Sequence, residues 1–116
     1  MRKLIGIAAL VVALGIPAVA IAATLNPSQV GTSCDGMATW HFVNNQTGGA
    51  GPGLLEATFS SPTGLVTTGP SSVLNNTQHF IVQTTSGATL LGAETNLPGR
   101  LVLSDVTCEP GKKDKK

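Results

Sequence analysis

Tyrosine is absent from these 116 residues, aromatic side chains make up 3% and charged ones 11%. Between Lys3 and Lys112 there is no lysine, and Arg100 is the one cation. A nucleic-acid partner needs clustered Lys and Arg to neutralise phosphates, so the composition argues against that role. After residue 23 no stretch has apolar residues at i, i+3, i+4 and i+7, so amphipathic helices are not expected. No second apolar run is long enough to cross a bilayer. Catalytic signatures are missing as well. There is no G-x-S-x-G elbow and no paired-carboxylate motif suited to glycosides, and a domain this small has little room for a deep pocket. Neither enzyme activity nor a cofactor is expected. The threonines are scattered and do not form the regular array of an ice-binding face.

The first 23 residues read as a secretory leader. Arg2 and Lys3 precede an uninterrupted apolar run from Leu4 to Ile16. Pro17 breaks it, and residues 18–23 offer overlapping small-x-small cleavage sites, the pattern of a signal peptide. The competing expectation is an uncleaved anchor, since Leu4 to Ala23 is about long enough to span a bilayer. The proline and the alanine-rich end favour cleavage. No cysteine follows the run, which argues against a lipid anchor. The mature domain is then residues 24–110, followed by a basic, disordered tail over 111–116. A secreted or cell-surface location, of bacterial style, follows.

Charge divides by region. The leader carries +2, residues 24–111 carry −4, and the K-K-D-K-K end carries +3. The tail reads as a solvated end, with loose attraction to an anionic envelope as its functional alternative. The chain has two cysteines, Cys34 and Cys108, at opposite ends of the exported part. In an oxidising compartment such a pair is expected to form a disulfide.

Glycine, proline, serine, threonine and asparagine are frequent, and short apolar runs alternate with turn residues. This predicts an all-β fold, an immunoglobulin-like or related Greek-key antiparallel sandwich of about seven strands, with a barrel as the alternative. Strands are expected at 28–33, 37–44, 54–60, 65–68, 77–84, 89–94 and 100–107. A phrase recurs: Thr39-Trp40-His41-Phe42-Val43 followed by Leu54-Leu55-Glu56-Ala57, and Thr77-Gln78-His79-Phe80-Ile81 followed by Leu90-Leu91-Gly92-Ala93. Two related strand pairs imply internal pseudo-symmetry. Alternation places Trp40 and Phe42 on one face and His41 and Val43 on the other. It likewise groups Phe80 with Val82, His79 with Ile81, and Leu55, Ala57 and Phe59 with Leu91 and Ala93.

The segments C-D-G-M-A-T-W-H-F-V (34–43), T-Q-H-F-I-V-Q-T-T-S-G-A-T-L-L (77–91) and L-V-L-S-D-V-T-C (101–108) resemble small β-sandwich modules of bacterial secreted and surface-anchored proteins. The resemblance covers most of the mature chain and implies a surface, adhesin-like setting. It carries no functional residue across.

Three places could carry function. If their strands are neighbours, His41 and His79 could meet on one sheet face as a transition-metal pair. The plainer expectation is that each packs beside Val43 or Ile81 and bonds locally. The disulfide would draw Asp35, Asp105 and Glu109 toward one end, where hard oxygens could hold calcium. The loops 44–53 and 69–76 are long, polar and turn-rich, and are the segments expected to touch an extracellular or cell-envelope protein or glycan. An exposed edge strand offers another docking route. The sequons at Asn45 and Asn75 matter only in a eukaryotic secretory route. The expected role is a non-catalytic structural or binding module, with a small secreted metal-binding protein as the alternative.

Overall fold

The computed structural model describes residues 22–109. Residues 1–21, where the leader is expected, and the basic tail lie outside the described residues. Among the described residues nine strands follow one another: β1 (Ala23–Thr24), β2 (Ser33–Cys34), β3 (Ala38–Asn45), β4 (Leu55–Phe59), β5 (Leu65–Thr68), β6 (Ser72–Val73), β7 (Thr77–Thr84), β8 (Ala88–Thr95) and β9 (Arg100–Cys108). They form two antiparallel sheets packed face to face. One has the order β9-β3-β7-β6, and the other has β1-β8-β4-β5 with β2 also on β8. The fold is an all-β sandwich, as the alternation predicts.

Burial follows the period of two along β3, β4 and β7, and slips once in each of β8 and β9. Trp40, Phe42, Phe59 and Phe80 are fully buried between the sheets, with Leu55, Ala57, Val82 and Leu90 around them. Each large apolar side chain removed from water contributes about 1.5–3 kcal/mol. Trp40 of one sheet meets Phe59 of the other at 4.9 Å between ring centroids. The Trp40 indole N–H donates to the Thr84 hydroxyl at 3.0 Å, so the buried donor is satisfied.

The repeated phrase becomes a register. In one sheet Phe42 sits directly opposite Phe80. In the other, Ala57 sits directly opposite Ala93. Corresponding residues of the two copies thus face each other in both sheets. Each sheet carries a local two-fold relation between its two copies at the level of strand register.

The structure departs from four expectations. Residues 28–33 are not one strand: Pro27–Gln29 is a turn of 3₁₀ helix between β1 and β2. Asn26 caps it, its side-chain oxygen accepting from the Ser28 N–H, and Pro27 supplies the fixed φ of a first helical residue. Leu91 does not share the inner face. The β4–β8 register shifts between Thr58 and Phe59, so Leu90 and Ala93 point inward and Leu91 is exposed. β6 falls where the sequence shows a break around Gly69-Pro70. At the amino end, Ala23 is buried and paired with Thr95, although the sequence assigns it to the leader.

The two flanks of the sandwich differ. On one, β1 and β2 cover the outer edge of β8. The edge of β9 is covered at Leu101 by a parallel bridge to Leu25. At Leu103 the Gln29 carboxamide both accepts from the backbone N–H and donates to the carbonyl, each at 2.7 Å. One side chain thereby copies the pairing of a neighbouring strand. On the other flank, among the described residues, β5 pairs only with β4 and β6 only with β7, so both present an open edge.

Candidate functional site

β3 and β7 are the central pair of their sheet, and strand alternation turns His41 and His79 to its outer face. His41 lies opposite Ile81 and His79 opposite Val43, so the two imidazoles are diagonal neighbours. His41 Nε2 and His79 Nδ1 are 2.8 Å apart. The ring centroids are 5.0 Å apart and the planes are inclined by 36°. At this distance one nitrogen donates to the other, the tautomer setting which is the donor. Both rings are half-buried. Asp105 stands opposite His41 on β9, and Ser72 opposite His79 on β6. The structure brings together the two histidines singled out from the sequence, and joins them to each other rather than to separate loops.

The second candidate surface is the end of the sandwich remote from the cysteines. The loops 46–54 and 69–76 meet there through Asn76. Its carbonyl accepts from the Thr47 N–H at 3.2 Å, and its side-chain oxygen accepts from the Gly48 N–H at 2.7 Å. Val73 and Leu74 are exposed beside them. A layer of buried polar side chains holds this end. Gln78 is fully buried. It accepts from the Gly53 N–H at 2.9 Å and donates to the carbonyls of Ala50 and Gly51. Asn44 donates to the Pro98 carbonyl and accepts from the Thr95 hydroxyl. The Asn96 side chain accepts from the Leu54 N–H. The loop 44–53 is therefore fixed from beneath.

At the other end Cys34 and Cys108 form a disulfide, with Cα atoms 5.8 Å apart, that ties β2 in one sheet to β9 in the other. The acidic residues near it do not form the expected calcium cluster. Among the described residues no group of three His, Cys, Asp or Glu is placed to hold a metal ion. The β3–β9 register shifts between Leu103 and Asp105, leaving Asp105 opposite His41 on the outer face and Cys108 opposite Ala38 on the inner. Asp35 and Glu109 stay beside the disulfide, exposed.

Gln29, Asn76 and Gln78 are structural determinants that composition alone does not reveal. Gln78 had a signal in the sequence: it is two residues from Phe80 and so shares its inward face. Gln29 had none, since its partner Leu103 is 74 residues away. No protein-family model, curated protein or solved structure matches the chain.

Proposed function

We propose that this chain is an exported, non-catalytic β-sandwich that acts as an adhesin-like structural or binding module at or outside the cell surface. The observation that carries this is the Cys34–Cys108 bond between the two sheets, downstream of a leader-like apolar run. Such a bond persists in oxidising compartments. The partner-facing surface is the end built from the loops 46–54 and 69–76. There Val73 and Leu74 offer exposed apolar area within a polar, asparagine-rich rim, and the buried Gln78 and Asn44 keep the backbone in place. A preorganised loop surface loses less entropy on binding an extracellular protein or envelope glycan.

Cell fractionation with intact-mass measurement tests the proposal. The expected product is outside the cytoplasm, has no alkylatable thiol, and begins no later than Ala23, because β1 needs that residue. A full-length cytoplasmic product with two free thiols would overturn it. For the binding surface, cells displaying the protein should adhere to matrix proteins or envelope glycans, and a Leu74→Asp variant should lose adhesion while keeping its fold.

A further inference from the structure

We propose that His41 and His79 together form a surface site for one divalent late-transition-metal ion, with Cu(II) the preferred occupant. The site stands apart from the module role proposed above and does not depend on it. Its basis is the pair of ring nitrogens, His41 Nε2 and His79 Nδ1, facing each other at 2.8 Å across the central strands of a sheet. Two nitrogens each about 2.0 Å from one ion lie about 2.8 Å apart at a right angle and about 3.3 Å apart at the tetrahedral angle. From the observed 2.8 Å a small swing of the rings reaches either arrangement, and Cu(II) leads the affinity order for nitrogen ligands.

With no ion bound, a proton fills the gap. Centroids 5.0 Å apart set the nitrogens nearly head-on, as in an N–H···N bond. To hold an ion both rings swing about χ2, which is a soft torsion for histidine. Both gap nitrogens must then present lone pairs. The N–H in the gap is replaced by an N–H at the far nitrogen of the same ring, so a neutral pair takes up the ion by a change of tautomer with no net loss of protons.

The surroundings suit this. The backbones beneath are fixed by the fully buried Phe42–Phe80 pair, so little ordering is needed. Val43 and Ile81 shoulder the rings, and the half-exposed position leaves the remaining corners open to water. Asp105, opposite His41, adds a negative charge beside the ion, and no cation shares its row or that of His79.

The test uses the mature, disulfide-intact protein with Cu(II) followed by electron paramagnetic resonance, and Zn(II) followed by histidine NMR. The variants His41→Gln and His79→Gln are outward-facing, and their amide spectra report whether the fold is kept. The expected result is one Cu(II) per chain in a tetragonal environment with two imidazole nitrogens, lost in either variant. Two results would each overturn the proposal: equal Cu(II) binding by the folded double variant, which would place the ion elsewhere, such as the amino terminus, or no perturbation of either imidazole at millimolar Cu(II) or Zn(II).

Discussion

Replacing Gln78 with leucine keeps nearly the same volume at a fully buried position and removes only the polar contacts. The Gly53 N–H then loses its acceptor, and the carbonyls of Ala50 and Gly51 lose their donor. Each intramolecular hydrogen bond contributes about 0.5–1.5 kcal/mol net, and a buried group left unpaired costs about 1–3 kcal/mol. Gly51 is exposed and its carbonyl can turn to water, so the Gly53 N–H dominates the loss. The expected destabilisation is about 2–4 kcal/mol. A domain of this size has about 4–13 kcal/mol in total, so the variant should lose a large share of its stability while still folding. Urea unfolding is the assay. With a slope near 1 kcal/mol per M, the midpoint should fall by about 2–4 M with the slope unchanged. Amide exchange adds a local readout, because Gly53 should be protected in the parent and exchange freely in the variant. A midpoint shift below about 0.5 M would refute the reasoning and show that Gln78 does not hold the loop.

Other perturbations probe separate features. Replacing both Cys34 and Cys108 with serine opens a loop of sequence separation 74 and should cost about 4.5 kcal/mol in the chain-entropy account, read as a denaturant midpoint. Glu56 and Glu94 face each other directly across β4 and β8. Like charges so placed repel, so Glu94→Lys should raise stability by about 0.2–1 kcal/mol, an increase that salt diminishes. Gly99 has φ +101, and an added Cβ would run into the backbone carbonyl of Asn45. Gly99→Ala should therefore lose at least about 1–3 kcal/mol in thermal unfolding, since both the dihedral and the contact disfavour a side chain. Gln29→Ala should leave the fold intact, lower stability by about 1–3 kcal/mol and speed amide exchange at Leu103.

β4 was readable because it switches between apolar and polar residues at every step, and β3 and β7 because their short aromatic and β-branched runs lie between turn residues. The repeated phrase also located the internal symmetry, since the two phenylalanines that define it lie opposite each other. The diagonal meeting of the histidines followed from that register once the strands were neighbours. What alternation could not reveal was where it fails. Bulges at Leu91 and at Ser104 each shift the period by one residue, which exposed a leucine expected in the core and sent Asp105 to the outer face. Nothing in local residue type marks those insertions. The short edge strands escaped for a different reason: two residues carry no period, and their pairing is decided by the longer strand beside them. The hold of Gln29 on Leu103 is a tertiary contact between distant positions, and side-chain polarity gives no hint of its partner.

The unequal flanks set a limit on growth. A sandwich whose two sides were both open could add copies at each side and extend without end. Here the amino-terminal segment and Gln29 cover one side, and among the described residues the open edges are those of β5 and β6. A second molecule that docks through the same edge strand on both partners would form a two-fold pair with the closed flanks outward. Gln29 is the side chain that withholds the β9 backbone at Leu103 from such pairing.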